Sequence, residues 1–131
     1  MDDKDSKKKS LKNILVLIVD DDIDVLETIE EMLKINGCKT MSASSGDEAL
    51  KKISTTRPDF ILLDIRMPKM NGVETLKSIK KFNKSIPVIM MTGYDDVGLA
   101  RELSEFGAAD YIYKPVNFEY LLKSISSKLT P

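Results

Sequence analysis

The chain has 131 residues, 42% hydrophobic and 31% charged, with a net charge of −1; this is the composition of one globular domain with a real core and without a basic excess that would attract nucleic acid. No apolar run approaches the roughly 20 residues of a membrane helix, and the polar N-terminus has no signal-peptide apolar stretch. A single cysteine, Cys38, and the absence of histidine exclude an internal disulfide, His-ligated metals, Ser-His or Cys-His catalysis and a phosphohistidine on this chain, and a lone thiol fits a reducing, cytoplasmic compartment.

Residues 1–12, opening MDDKDSKKKS, are charged and lack apolar periodicity, so they read as a disordered leader to a domain spanning 13–131. ILVLIV (Ile14–Val19) is a short β-branched run, expected as a strand buried on both faces. Val25, Leu26, Ile29, Met32 and Leu33 then share one helical face, closed by Gly37. CKTMSA reads as a second strand. The sequence Ser45-Gly46-Asp47-Glu48 is a capping box that opens a helix with Ala49, Leu50 and Ile53 inward. DFILLD is a third strand, followed by a helix over Asn71–Phe82 on Val73, Leu76 and Ile79. PVIMMT is a fourth strand with Pro87 at its start, where a missing N–H is tolerated. A helix over Asp95–Phe106 ends at Gly107; DYIY is a fifth strand, and Asn117 to about Leu129 is a last helix carrying Phe118, Leu121, Leu122 and Ile125 on its apolar face.

Unbroken β-α alternation with short apolar strands predicts a doubly wound α/β fold, a parallel sheet covered on both faces, with ligands beyond the carboxyl ends of its strands. Those ends carry Asp20, Asp21 and Asp22; Ser42, Ala43 and Ser44; Asp64; Thr92; and Lys114 with Pro115. Asp20, Asp21 and Asp64 can meet on one rim, where packed carboxylates need a cation or a proton. Without histidine or a thiolate cluster the ligands are all oxygen, which suits Mg²⁺. Lys114 adds positive charge and Thr92 a hydroxyl, a setting for a small anion, with a phosphoryl group the natural candidate and a carboxylate as attacking group. Taken alone, Asp20 and Asp21 read more readily as helix caps, the role assigned here to Asp22, and only the placing of Asp64 and Lys114 reverses that preference. An EF-hand reading of Asp20, Asp22, Asp24 and Glu31 fails, because Val25 stands where the sharp turn needs Gly and a buried strand precedes the stretch.

Four pieces in order, VDDD, LLDIRMPKMNG, MMTGY and YIYKPV, resemble the receiver domain of two-component response regulators over about Ile14 to Leu129. The resemblance implies a (βα)5 flavodoxin-like sheet of strand order 2-1-3-4-5. It further implies Asp64 as phosphoacceptor; Asp20, Asp21, Asp64 and the backbone carbonyl of Arg66 as Mg²⁺ ligands; and Thr92 and Lys114 as phosphoryl-binding groups. Tyr111 would be an aromatic switch, Lys114-Pro115 a cis peptide, and Arg66 and Tyr94 would flank the path of hydrolytic water. The implied partner is a sensor histidine kinase or histidine phosphotransfer protein, with a possible homodimer through the fourth helix, fifth strand and fifth helix. The chain would then be a switch that catalyses only its own modification, not an enzyme with turnover, and no nucleic acid or membrane would be bound by it. Two rivals are a scaffold that is never phosphorylated and a phosphoaspartate-type hydrolase; the second usually needs an Asp where Arg66 stands.

Overall fold

The computed structural model describes residues 11–66, 71–93 and 100–129. Five parallel strands, β1 (Leu15–Val19), β2 (Lys39–Ala43), β3 (Phe60–Asp64), β4 (Val88–Thr92) and β5 (Asp110–Tyr113), lie in the order β2-β1-β3-β4-β5. Helices α1 (Ile23–Ile35), α2 (Gly46–Thr55), α3 (Gly72–Phe82), α4 (Ala100–Glu105) and α5 (Phe118–Leu129) connect and follow them. This is the doubly wound α/β fold expected from the alternation.

Period-2 alternation of the three central strands feeds two cores. Leu17, Val19, Ile61, Leu63, Val88 and Met90 face the side covered by Ala49 and Ile53 of α2, Leu76 and Ile79 of α3 and Leu103 of α4. Val16, Ile18, Phe60, Leu62, Ile89 and Met91 face the other, against Leu26, Ile29 and Leu33 of α1 and Leu121 and Ile125 of α5. Each fully buried large side chain contributes roughly 1.5–3 kcal/mol. Val25 and Met32, predicted on the inner face of α1, are only half-buried, because they flank the apolar stripe. Leu11 already packs against the second core, and its carbonyl accepts the Ile14 N–H at 3.1 Å; packing thus starts ahead of residue 13, where the charge pattern places the domain's start.

Side chains cap the helices as the local sequence directs. The Asp22 carboxylate accepts from the N–H groups of Asp24 and Val25, and Asn71 accepts from Glu74. Ser45 accepts from the Glu48 N–H at 3.1 Å, but the Glu48 carboxylate reaches back to the N–H and hydroxyl of Ser44 instead of to Ser45. α1 closes on Gly37 at φ 91°, whose N–H donates to Lys34 while that of Cys38 donates to Leu33. Of the helix expected over 95–106, the described part is Ala100–Glu105, closed by Gly107 at φ 100°; its predicted first turn lies outside the described residues.

The start of α3 meets the end of β3 unusually closely. The Gly72 N–H donates to the Ile65 carbonyl at 2.7 Å. A Cβ on Gly72 would lie 2.3 Å from the Asp64 carbonyl oxygen and 2.5 Å from the Ile65 Cα. Only glycine fits there, and the contact sets the course of the chain leaving Asp64.

Candidate phosphoacceptor site

Parallel register brings the strand ends to a common edge. β1 is central, so Asp20, the next residue, enters beside the end of β2, its N–H donating to Ala43 at 3.1 Å. Asp64 is the last residue of β3, in register with Met91, and Thr92 lies one residue beyond on β4. Lys114 follows β5, its N–H donating to the Thr92 carbonyl at 2.7 Å, and the Lys114–Pro115 bond is cis.

These elements enclose a cleft of about 280 Å³ lined by Asp20, Asp21, Asp22, Asp64, Arg66, Gly93 and Lys114. Asp20, Asp21 and Asp64 each present a carboxylate oxygen within 4.8 Å of the others. Asp20 is fully buried and Asp64 nearly so, whereas Asp21 is exposed. Lys114 Nζ stands 2.9 Å from Asp20 Oδ2 and 3.2 Å from Asp64 Oδ1. The second oxygen of Asp20 accepts the Asp22 N–H at 3.0 Å. Arg66 is exposed at the mouth, its N–H pointing to Asp64 Oδ1 at 3.4 Å.

Electrostatics set Asp64 apart. Desolvation first, then the charge of Asp20, push its carboxyl up to about 6 against the pull of Lys114. Burial draws Lys114 down, but the carboxylates of Asp20 and Asp64 outweigh it and hold the ammonium above its usual range. Thr92 Oγ1 is buried and has no hydrogen-bond partner among the described residues, an uncommon condition for a buried hydroxyl.

The donor set fits Mg²⁺. Its oxygens are hard, the three carboxylates are close enough to share one ion, and exposed Asp21 leaves one side open to the waters that such an ion keeps. Tyr111 lies on β5 at the sheet's edge, 36% exposed, its ring edge-on to Tyr113 at 5.9 Å between centroids. Tyr94, paired with Arg66 in the sequence reading, lies outside the described residues, as do Met67 and Pro68. Gly72, expected from the sequence as helix-start geometry and not as chemistry, is the first residue of α3, and its close approach to β3 is visible only in the structure, as is the Asp22 N–H as a partner of Asp20.

Fold and site together define a doubly wound α/β domain with an acidic, lysine-bridged cleft at its strand ends. The chain belongs to the response regulator receiver domain family, whose model matches residues 16–126. It is 43% identical over 114 residues to the transcriptional regulatory protein ZraR of Klebsiella oxytoca, covering 87% of this chain and 26% of that protein. The chain thus spans about a quarter of the length of the ZraR proteins it matches. It is 33% identical over 119 residues to sporulation initiation phosphotransferase F of Bacillus subtilis (strain 168), covering 91% of this chain and 96% of that one. Chemotaxis protein CheY4 of Vibrio cholerae superposes with a TM-score of 0.84 at 33% identity, covering 89% of this chain and 99% of that one. Among the described residues no helix is long and apolar enough to cross a membrane.

Proposed function

We propose that this chain is the phosphoacceptor switch of a two-component phosphorelay, with Asp64 as the acceptor. The observation that carries the reading is the pairing of a buried carboxylate, pushed up to about 6, with an ammonium 3.2 Å away. Above that pH Asp64 is ionised yet poorly solvated, the condition of a reactive oxygen nucleophile. An Asp64 oxygen attacks the phosphorus of a partner's phosphohistidine; the P–O bond forms as the P–N bond breaks, and the electron pair leaves with the imidazole. Lys114 and the Thr92 hydroxyl receive the transferred group's oxygens, which would give that buried hydroxyl its partner. Asp20, Asp21, Asp64 and the Arg66 carbonyl would hold Mg²⁺, which when bound supplies neutralising charge for the phosphoryl oxygens.

Movement of Thr92 toward the new oxygens would let Tyr111 pack inward and repack the face of α4, β5 and α5, a shift between two populations that phosphorylation biases. The chain is then a switch that modifies itself. Its donor is a histidine kinase or histidine phosphotransfer protein, a reading supported by its match along nearly the whole of a protein named a phosphotransferase. Incubation with Mg²⁺ and acetyl phosphate should add one base-labile phosphoryl group, and Asp64→Asn should abolish it. Equal labelling of that variant would place the acceptor elsewhere; no labelling of the parent by acetyl phosphate or a phosphohistidine donor would favour the unphosphorylated scaffold.

A further inference from the structure

Lys80 stands in the last turn of α3, and among the described residues no acidic side chain pairs with it, whereas Lys52, Lys114 and Lys123 each have one. It is half-buried. Its stem lies along the turn at Gly107, where an added Cβ would sit 3.3 Å from two of its carbons. Its Nζ donates to the Ile86 carbonyl at 2.7 Å and to the Lys84 carbonyl at 3.3 Å. An uncharged amine suits this setting, since its two N–H groups match the two carbonyls and its lone pair stays free. Partial burial favours the same form and draws Lys80 below the ordinary lysine range. The neighbourhood is basic: Lys81 and Lys84 are exposed, and Lys77 Nζ lies over the Phe106 ring at 4.2 Å from its centroid. Small anions therefore gather beside an amine that is poorly solvated as a cation.

We propose that Lys80 is an acylation site, its amine taking the acyl group of a small acyl phosphate. The nitrogen lone pair attacks the acyl carbon; the C–N bond forms as the C–O bond to phosphorus breaks. Inorganic phosphate leaves with the electron pair and takes up the proton that the nitrogen gives up. The site is separate from the acidic cleft, because Lys80 meets the chain ahead of β4, at the opposite end of that strand from Thr92. The product amide keeps one N–H where the amine had two, so one of the two carbonyls loses its donor. A positive charge is also removed from the C-terminal end of α3, where the helix dipole favours one. Acylation thus loosens the hold of α3 on the entry to β4.

The test is brief exposure of the unaltered chain to acetyl phosphate with EDTA present, followed by peptide mass mapping of every lysine. Lys81 and Lys84 are the internal standards, since they meet the same local concentration of donor but are exposed. At about pH 7.5 Lys80 should be acetylated at least about threefold faster than either, and the lead should shrink toward pH 10, where all three amines become neutral. In the urea-unfolded chain the lead should vanish. Raising salt from roughly 0.1 M to roughly 0.5 M should slow the reaction at Lys80, because the basic surroundings no longer concentrate an anionic donor. Equal or slower labelling of Lys80 in the folded chain overturns the proposal, as does a lead that survives unfolding or does not change with pH. A rate indifferent to salt overturns the assignment of an anionic acyl phosphate as the donor. The phosphoacceptor reading stands or falls apart from this result, because it concerns a phosphoryl group on Asp64 and needs the metal that EDTA removes.

Discussion

The interior of the central strands and their carboxyl rim are one residue apart and equally dry. Val19 and Leu63 are fully buried, and so, within 5%, are the next residues Asp20 and Asp64. The energetic consequences are opposite. Removal from water stabilises the first pair without demanding any particular neighbour, because the hydrophobic effect is non-directional. The same removal penalises the second pair unless a charge of the right sign stands within a few ångströms, and here that charge is Lys114, brought from the far edge of the sheet. The interior layer thus needs only burial and the rim a matching charge, and substitutions at four positions separate the two.

The largest expected effect is in the interior. Leu63→Ala should lower stability by about 3 kcal/mol, since both the transfer energy and a residual cavity count against it; urea unfolding with EDTA present would measure it, and a loss under about 1 kcal/mol would mean that the layer closes over the gap. Gly72→Ala comes next, at about 2 kcal/mol, because its Cβ would collide with backbone at 2.3 and 2.5 Å and backbone yields less readily than a flexible side chain. Its melting point should fall and its Mg²⁺ affinity weaken, as the chain beyond Asp64 is pushed away.

At the rim the sign reverses. Asp64→Asn should stabilise the protein with EDTA present at pH 7. A carboxyl raised from 3.8 to about 6 in the folded state favours folding when protonated; that contribution is complete below about pH 4 and is lost as pH rises through 6. At about 1.36 kcal/mol per unit the full loss approaches 3 kcal/mol, and solvent at the cleft mouth reduces it to about 1 kcal/mol. The advantage of Asp64→Asn over the parent should therefore grow from pH 4 to pH 7, and Mg²⁺ should shrink it by stabilising the parent alone. A difference independent of pH in parallel thermal melts would show that Asp64 is not strained. The smallest effect belongs to Asp22, exposed and outside the charge cluster. Asp22→Ala should cost about 1 kcal/mol and Asp22→Asn only a few tenths, as expected for a helix cap; equal losses, scored by denaturant midpoint, would point to a role of its charge.

The elements were legible because each local signal and the tertiary packing agree. The short apolar runs Ile14–Val19 and FILLD, the caps at Asp22 and Ser45, and the stop at Gly37 all depend on residues a few positions apart. The capping box at Ser45 closes one residue early: Glu48 turns to Ser44 because that hydroxyl adds a second bond at 3.0 Å to the N–H at 3.2 Å.

By itself the sequence determined the class of fold, the strand ends on which the polar residues stand, and the family, since short apolar runs alternating with capped amphipathic helices leave few topologies. The tertiary structure alone decided which aspartates go under. Asp20, Asp21 and Asp22 are adjacent in the chain, yet only Asp20 is buried. The strand's direction turns its side chain toward β3, while Asp22 turns back to cap α1. It decided, too, that Lys114, 94 residues away, should neutralise Asp20, that Thr92 should bury a hydroxyl with no partner among the described residues, and that Gly72 must be glycine. Each of these depends on sub-ångström placement across separate strands, and a linear pattern carries no information about distance at that scale.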